Sequence, residues 1–178
     1  MLLGHLLKSV RRNYKSIPIN GISFDSRKVN KGDIFFAIKG KKVSGNAYIK
    51  EALYRGASAI VSDKDKDYKF SKAPLLVVKD VRKSLAEASS NFYKEKPKNI
   101  IAVTGTNGKT SIAHFFYQIL NHNKLNVASI GTLGVLSKKY KKKTNLTSID
   151  PISLHKNLQT LSRKKVNYVI LEASSHGL

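Results

Sequence analysis

The sequence predicts an α/β fold, and three observations support this class. Short apolar runs typical of buried strands, such as Ile34–Ile38 and Asn99–Val103, alternate with segments whose apolar residues recur at helical spacing. A glycine-bearing turn joins the second of these runs to a helical pattern at Ile112–Leu120. The charged, proline-broken segment Glu95–Lys98 lies between the two halves, so we predict one module over residues 1–97 and another over 98–178.

The first module is expected to contain four strands and three helices. A helix should lie within residues 1–16, before Pro18. Asn46 is expected to cap a second helix that Gly56 ends, and Asp80 to cap a third that runs to about Lys94. The strands expected are a short one beginning at Gly21, then Ile34–Ile38, Ala57–Val61 and Leu75–Val78, with a polar surface loop at 62–73.

The second module is expected to contain three strands, which are Asn99–Val103, Leu125–Ile130 and Val166–Leu171. Gly131–Gly134 should turn the chain, and the lysine run at 138–143 should form an exposed loop or a hairpin tip. Asp150-Pro151 should open a helix, because proline suits the first helical position. A doubly wound nucleotide-binding sheet has more than three strands, so we expect the chain to be a fragment or the product of a truncated gene.

The turn after Val103 has the features of a phosphate-binding loop. Its residues are Gly105, Thr106, Asn107, Gly108, Lys109, Thr110 and Ser111. Glycines let the main chain approach a ligand, amides at a helix N-terminus favour an anion, and Lys109 can neutralise phosphate charge. The general motif has a glycine where this chain has Val103, so the stretch fits a shortened form. The alternative is a plain glycine turn, but the strand, glycines, Lys-Thr pair and helix all coincide here.

Glu172 follows the last predicted strand and is a candidate metal ligand. The carboxyl ends of parallel strands are where ligands bind in open α/β sheets, so Glu172 and Thr110 are expected to hold Mg²⁺. Ser174 and Ser175 offer hydroxyls near the same crevice, whereas His176 has no second ligand at metal-binding spacing. The alternative for Glu172 is a solvated acid at a strand end.

Composition narrows the function classes. The formal net charge is +22, but 27 of the 33 basic residues are lysine and arginine is the usual reader of bases, so we expect no nucleic-acid partner. The chain has no cysteine, which excludes disulfides and thiolate metal sites and is compatible with the expected cytoplasmic location. No apolar run approaches the ~20 residues that cross a bilayer, so no membrane span is expected.

Taken together, these residues resemble the Mur ligase family, over essentially the whole chain. The segments that resemble it are Asp25–Val29, Gly32–Ala37, Gly56–Val61, Thr104–Thr110 and Glu172–Leu178. The resemblance implies a small N-terminal α/β substrate-binding domain followed by the first half of a parallel-sheet P-loop ATPase domain, with the C-terminal domain absent. The Glu-x-Ser-Ser-His-Gly-Leu stretch resembles the branch that adds the third peptide residue, rather than the D-Ala-D-Ala-adding branch or the folylpolyglutamate ligases.

The resemblance implies ATP-dependent amide formation in peptidoglycan precursor synthesis. The expected substrates are ATP, UDP-N-acetylmuramoyl-L-alanyl-D-glutamate (UDP-MurNAc-dipeptide) and a diamino acid, either meso-diaminopimelate or L-lysine, joined through an acyl phosphate. By the same resemblance Lys109 is catalytic within the ATP-binding segment Gly105–Ser111, and Thr110 and Glu172 hold Mg²⁺. The implied UDP-MurNAc-binding residues are Phe24, Ser26, Lys41, Lys42, Val43, Thr147, Ser148 and Ser174.

Departures from the family pattern bear on activity. Ile149 stands where the family usually has proline, Ser148 replaces a threonine, and Ala173 replaces a valine. The family's carbamylated lysine and second magnesium-binding histidine have no counterpart in this sequence, so we expect that the chain, a monomer, does not complete the reaction alone. The alternatives are an inactive module that binds the UDP-sugar or nucleotide, the sibling D-Ala-D-Ala-adding ligase, and a nucleic-acid binder carried by the lysine excess.

Overall fold

The computed structural model describes residues 1–40, 43–64, 73–143 and 149–173, and it confirms the α/β class. The chain divides into two compact units, Met1–Phe92 and Tyr93–Leu178, each with its own sheet. The functional division at residues 97 and 98 stays a prediction. Among the described residues, no helix combines the length and the apolar character needed to cross a bilayer.

The first unit is built around a parallel sheet of four strands in the order β1-β2-β3-β4. Its strands are β1 (Gly21–Ser23), β2 (Asp33–Phe36), β3 (Ala59–Ser62) and β4 (Leu75–Val77), and its α-helices are α1 (Leu3–Leu6), α2 (Ile49–Tyr54) and α3 (Val81–Phe92). The central strands β2 and β3 are buried throughout, as parallel strands covered on both faces should be. Phe35 and Ile60 of these strands form one core with Ile49 and Ala52 of α2.

Two helical predictions for this unit differ from the structure. The helix expected within residues 1–16 covers only Leu3–Leu6. The helix expected from Asn46 begins with a 3₁₀ turn over Gly45–Tyr48, and Ser44 caps this turn by accepting from the backbone N–H of Asn46. The capping role predicted for Asn46 is wrong, because its side chain is bonded instead to Ser62 and Asp63.

The second unit is built around a five-stranded mixed sheet in the order β5-β9-β6-β7-β8. Its strands are β5 (Asn99–Val103), β6 (Val127–Gly131), β7 (Gly134–Ser137), β8 (Lys141–Lys142) and β9 (Tyr168–Glu172), and its helices are α4 (Lys109–His122) and α5 (Pro151–Arg163). β5, β9 and β6 run parallel, whereas β7 and β8 continue the sheet antiparallel. The predicted parallel sheet is thus confirmed, and β7 and β8 extend it.

The lysine run forms the hairpin that the sequence left as one of two alternatives. Lys138 and Lys139 lie in the turn after β7, and Lys141 and Lys142 form β8. Sequence pattern did not predict these strands, because β7 contains only two apolar residues, Val135 and Leu136, and β8 contains none. Neither segment therefore shows the apolar run or the alternation that indicates a strand.

The helices α4 and α5 cover opposite faces of this sheet. Val127 and Ile170 pack with Ala113 of α4, whereas Ala128 and Val169 pack with Leu158 and Leu161 of α5. Side chains alternate between the two faces along a strand, so consecutive residues of β6 and β9 serve different helices. This doubly covered arrangement holds the carboxyl ends of β5, β9 and β6 at one edge of the sheet.

Three predicted helix ends are confirmed. Gly56 follows α2 with φ +92°, a conformation that glycine adopts without strain. Asp80 accepts a hydrogen bond from the N–H of Lys83 at the start of α3, at 2.9 Å. Asp150 does the same for Ser153 at the start of α5, with Pro151 in the first turn.

Candidate functional site

The phosphate-binding loop predicted after β5 occupies residues 104–108, and α4 begins at Lys109. Gly105 has φ +149° and Gly108 has φ +76°, so both positions favour glycine over residues with a side chain. The place where the general motif has a further glycine is the last residue of β5. There Val103 pairs with Glu172, and its carbonyl accepts from the N–H of Ala173 at 2.9 Å.

The N-terminus of α4 presents to the loop amides that take no part in the helix's own hydrogen bonding. The first hydrogen bond of the helix runs from the N–H of Ile112 to the carbonyl of Gly108 at 2.9 Å. The amides of Lys109, Thr110 and Ser111 therefore have no partner within the helix. Such amides, together with the helix dipole, favour a bound anion.

The Lys109 side chain bridges the loop. Its Nζ donates to the carbonyl oxygen of Gly105 at 2.6 Å and to that of Thr106 at 3.1 Å. The ammonium group therefore lies over the backbone of the loop and next to the helix N-terminus. A phosphate group bound there would meet both a positive charge and the amides at the start of α4.

A second cluster lies where three parallel strands end. Glu172, the last residue of β9, accepts hydrogen bonds at Oε2 from Thr110 Oγ1 at 2.9 Å and from Thr132 Oγ1 at 3.0 Å. Gly131, at the end of β6, lies directly against the Glu172 side chain, and a Cβ at that position would overlap it. The carboxylate is thus held between the start of α4 and the end of β6.

The loop and this cluster line one open cavity of about 340 Å³. Its lining residues are Thr106, Asn107, Gly108, Lys109, Thr110, Ser111, Thr132 and Glu172. Across the described residues, no group of three or more His, Cys, Asp or Glu side chains has the arrangement of a metal site. The hydroxyl and carboxylate oxygens of Thr110 and Glu172 instead match the few protein oxygens that Mg²⁺ takes when phosphates and water complete its shell.

The Asp25-Ser26-Arg27 segment of the first unit follows β1 and forms a 3₁₀ turn. The Arg27 guanidinium donates to both carboxylate oxygens of Asp25 at 2.9 Å, and this hydrogen bonding holds the pKa of Asp25 below its ordinary value. Ser26 is buried, and its hydroxyl donates to Glu51 Oε2 at 2.7 Å. Phe24, the other substrate-binding candidate of this segment, is exposed.

The structure brings together all of the ATP-binding and metal-binding candidates, because Gly105–Ser111 and Glu172 meet at the carboxyl ends of β5 and β9. The UDP-MurNAc candidates Phe24, Ser26 and Val43 belong to the first unit, where Val43 is exposed. The remaining candidates lie outside the described residues. These are Lys41, Lys42, Thr147, Ser148 and Ser174, together with Ser175 and His176.

Sequence reasoning missed Thr132 and Gly131, which it treated only as turn residues. A signal was available, since both follow a predicted parallel strand at the point where it ends. Residues at the carboxyl ends of neighbouring parallel strands share one edge of the sheet. What the sequence did not supply was the pairing of β6 with β9, which brings Thr132 beside Glu172.

Comparison with known proteins agrees with this architecture. The family model described as "Mur ligase family, catalytic domain" matches residues 18–93, and the "Mur ligase middle domain" model matches residues 103–178. Two curated UDP-N-acetylmuramoyl-L-alanyl-D-glutamate–2,6-diaminopimelate ligases are similar in sequence. The protein from Rhizobium meliloti (strain 1021) is 46% identical over 92% of this chain and 33% of its own length. The protein from Rickettsia montanensis is 40% identical over 99% of this chain and 36% of its own length.

Solved structures give the same result. A UDP-N-acetylmuramoyl-L-alanyl-D-glutamate–2,6-diaminopimelate ligase matches with a TM-score of 0.82 and 29% identity, over 99% of this chain and 36% of its own. The MurF ligase from Thermotoga maritima in complex with ADP matches with a TM-score of 0.57 and 25% identity, over 89% of this chain and 32% of its own. The chain thus spans about a third of the length of the relatives it matches. With both units matched in sequence and in structure, the chain belongs to the Mur ligase family.

Proposed function

We propose that this chain is the N-terminal and central part of an ATP-dependent ligase that joins a diamino acid to UDP-MurNAc-dipeptide. The observation that carries the proposal is the meeting of the Lys109 loop with the hydroxyl–carboxylate cluster around Glu172. The curated relatives described above are named as 2,6-diaminopimelate ligases, which supports 2,6-diaminopimelate as the amino acid added. Because the chain spans a third of their length, the activity is proposed for the complete protein.

The reaction requires activation of a carboxylate, which is a poor acyl donor until its oxygen can leave. Transfer of the γ-phosphoryl group of ATP to the D-glutamyl carboxylate gives an acyl phosphate and releases ADP. The amine of the diamino acid then attacks the acyl carbon, loses a proton and displaces phosphate as the amide bond forms. Phosphoryl transfer of this kind depends mainly on positioning and on neutralisation of charge.

Lys109 and the amides at the start of α4 are suited to that neutralisation. In the structure the Lys109 ammonium is bonded to two carbonyl oxygens of its own loop. We infer that it exchanges these for phosphate oxygens when ATP binds, since a charged acceptor forms the stronger hydrogen bond. The glycines at 105 and 108 let the loop backbone come close enough to donate as well.

Magnesium is the metal that fits the cavity, because the donors offered by Thr110 and Glu172 are all hard oxygens. When bound, Mg²⁺ would supply further neutralisation of the phosphate charge. Thr132 would keep the Glu172 carboxylate oriented toward Thr110, because both hydroxyls donate to the same oxygen, Oε2. Partners of this kind, which orient a ligand without touching the metal, strongly influence metal affinity.

The first unit is proposed to bind the UDP-MurNAc part of the substrate. Support for this comes from the family resemblance of Phe24, Ser26 and the Lys41-Lys42-Val43 loop, together with Thr147, Ser148 and Ser174 of the second unit. Phe24 and Val43 are exposed and available for contact. Ser26 would have to release Glu51 before its hydroxyl could bind a ligand.

Ligation assays on the complete gene product test the proposal, with chromatography to follow UDP-MurNAc-tripeptide and a parallel assay for released phosphate. Replacement of Lys109 by alanine should reduce the rate of ligation by about a hundredfold or more. The negative charge on the transferred phosphoryl group would then lose the ammonium group that neutralises it. The exposed Lys156 on α5 provides the matched control, and Lys156→Ala should leave the rate unchanged. Undiminished activity in Lys109→Ala would refute the role of the loop.

The same assay separates the rival functions. Calorimetry should detect binding of both ATP and UDP-MurNAc-dipeptide to the unsubstituted protein. Binding of these ligands without any product would indicate an inactive binding module. Product formed only with D-Ala-D-Ala as the acceptor amine would indicate the sibling ligase.

A further inference from the structure

The amino ends of the parallel strands in the second unit meet at the end of the sheet opposite the phosphate-binding loop. The N–H of Asn99 donates to the carbonyl of Asn167, and the N–H of Asn167 donates to the carbonyl of Asn126, both at 2.9 Å. These three residues stand at or directly before the starts of β5, β9 and β6. Because each strand has five residues, about 15 Å separates this end of the sheet from the loop.

The exposed lysines at this end of the sheet, here called the edge lysines, are Lys98, Lys124, Lys138, Lys139, Lys164 and Lys165. Lys98 directly precedes β5, Lys124 follows α4, and Lys164 and Lys165 follow α5. Lys138 and Lys139 belong to the turn after β7 and line one small cavity with Asn126 and Val166. The Lys164 ammonium lies 5.9 Å from the centre of the Tyr140 ring, in the same turn. Five separate segments of the chain thus bring positive charge to one end of the sheet.

The charge of the edge lysines is not balanced by acidic side chains. The second unit contains only three acidic residues, Glu95, Asp150 and Glu172. Glu95 is paired with Arg163 at 2.7 Å, Asp150 caps the start of α5, and Glu172 lies at the carboxyl end of β9. In the described part of the chain, none of the edge lysines forms an ion pair. Their positive charge therefore faces solvent.

Two of the edge lysines occupy backbone positions that favour glycine. Lys124 has φ 59° and Lys165 has φ 61°, and within the described ranges no other residue except glycine has a positive φ. Each ends a helix in the same way. The N–H of Lys124 donates to Asn121 and that of the next residue, Leu125, to Leu120, and the same pattern recurs at Lys165. Glycine is the usual residue at this place in the motif. An external partner for the charge would account for lysine at both positions.

The arrangement favours a flat anionic surface over a nucleic acid. The edge lysines are spread across four neighbouring strands, β5, β9, β6 and β7, which together span about 15 Å. Lys124 follows α4 and Lys165 follows α5, on opposite faces of the sheet, so the charge extends in a second dimension as well. The edge lysines include no arginine, the residue suited to bidentate phosphate contacts. Leu125, 37% exposed beside Lys124, adds an apolar side chain of the kind that enters a lipid headgroup layer.

We propose that the edge lysines form a docking surface for a membrane that contains anionic lipids. Clusters of about four to eight basic residues are attracted to such membranes, and each lysine near the surface adds to the affinity. The phosphate-binding loop lies at the other end of the strands, so docking leaves its cavity open to ATP. The inference concerns peripheral attachment and does not depend on the proposed ligase activity.

Sedimentation of the 178-residue chain with lipid vesicles tests the proposal. The chain should bind vesicles made of equal parts of phosphatidylglycerol and phosphatidylcholine but not vesicles of phosphatidylcholine alone. Binding should weaken as the salt concentration rises, because salt screens the attraction.

Two variants with the same net charge locate the surface. In the edge variant glutamine replaces Lys124, Lys138, Lys139 and Lys165. This variant should bind the anionic vesicles at least about a hundredfold more weakly, because four contributing charges are lost. In the matched control glutamine replaces four exposed lysines elsewhere, which are Lys50, Lys79, Lys83 and Lys156. The control should bind within about threefold of the unsubstituted chain, since its lost charges lie far from the membrane.

Glycine at the two helix ends separates docking from a role in folding. The double substitution Lys124→Gly and Lys165→Gly removes two edge charges and relieves the backbone at both positions. It should weaken binding to anionic vesicles by about tenfold and keep or raise the unfolding temperature. A variant that loses both vesicle binding and thermal stability would contradict the proposal, because the lysines would then serve the helix ends.

Three other results would overturn the assignment. The first is an absence of binding to anionic vesicles by the unsubstituted chain. The second is an equal loss of binding in the edge variant and its control, because net charge alone would then explain the attraction. The third is binding to double-stranded DNA or to polyglutamate that is tighter than vesicle binding at the same salt concentration and is lost in the edge variant. A nucleic acid or an acidic protein would then be the partner.

Discussion

Replacing Gly131 with alanine tests whether the end of β6 fixes the position of Glu172. A Cβ on Gly131 would overlap the Glu172 side chain and would lie 2.6 Å from its Cγ. Ordinary van der Waals contact begins at 3.4 Å, and the Cδ and Oε1 atoms of Glu172 lie closer still, so the side chain would have to move by at least about 0.8 Å. The φ angle of Gly131 is not positive, so alanine adds this overlap without straining the backbone.

The expected loss follows from the bonds that such a movement breaks. Thr110 and Thr132 donate to Glu172 at 2.9 and 3.0 Å, and a shift of about 0.8 Å away from them takes both beyond hydrogen-bonding range. A hydrogen bond to a charged group contributes about 1.5–3 kcal/mol. Because Thr132 is exposed, water can replace part of the lost hydrogen bonding. We therefore expect a net cost of about 1.5 kcal/mol, which corresponds to about a tenfold lower affinity for Mg-ATP.

Isothermal titration calorimetry with Mg-ATP measures this affinity, and thermal unfolding followed by circular dichroism measures the stability of the same samples. Gly134→Ala is the matched control, since Gly134 is three residues from Gly131. Its φ of +93° means that alanine strains the backbone there. We expect Gly134→Ala to lower the unfolding temperature and to keep its Mg-ATP affinity. The reasoning is refuted if Gly131→Ala binds Mg-ATP as the unsubstituted chain does, or if both variants lose affinity equally.

Three further predictions concern single side chains. Thr132→Val should weaken Mg-ATP binding by about three- to tenfold, because one hydrogen-bond donor to Glu172 is lost. Thr132→Ser keeps the hydroxyl and should bind Mg-ATP as the unsubstituted chain does in the same titration. Burial, together with the charge of Lys96, lowers the pKa of His155, so the unfolded chain takes up this proton first as the pH falls below about 6.5. The second unit should therefore lose stability from about pH 7.5 to 5.5 in denaturant melts, and a melt series of His155→Leu that is equally steep would contradict this. The hydrogen bonds from Arg27 depress the pKa of Asp25, so their stabilising effect is present above the ordinary value of 3.8 and is lost as the pH falls through the lowered pKa. Arg27→Ala should raise the pKa of Asp25 in a titration followed by nuclear magnetic resonance, and an unmoved titration would show that Arg27 is not the cause.

Local sequence was enough to predict parallel strands in both sheets. β3, β5 and β9 appear in the sequence as apolar runs with polar or glycine-bearing ends, which is the pattern of buried parallel strands. The order in which the strands pair was not predictable in this way. β9 lies between β5 and β6, although β6 precedes it in the chain. Such pairing depends on contacts between residues far apart in sequence, which a local pattern does not contain.

The same distinction explains which site residues were predicted. Lys109, Thr110 and Glu172 were predictable because each is a residue type with a known use at a recognisable place, a helix start or a strand end. Thr132 was missed because its role depends on a partner 40 residues away. Ser26 shows the opposite limit, since the family resemblance implied a ligand contact for it, whereas its hydroxyl is bonded to Glu51 in the structure.

The pairing of β5 with β9 explains why a valine, and not a glycine, precedes the phosphate-binding loop. A glycine at position 103 would let the loop begin earlier, but Val103 is still in the ladder and is in register with Glu172. Its carbonyl holds the N–H of Ala173, so the start of the loop and the end of β9 are fixed by the same hydrogen bonds. The carboxylate is then bonded by Thr110 from the far end of the loop and by Thr132 from β6. The shortened loop therefore ties the proposed phosphate-binding and metal-binding residues to one edge of the sheet, an arrangement that would preorganise both groups for the same phosphates.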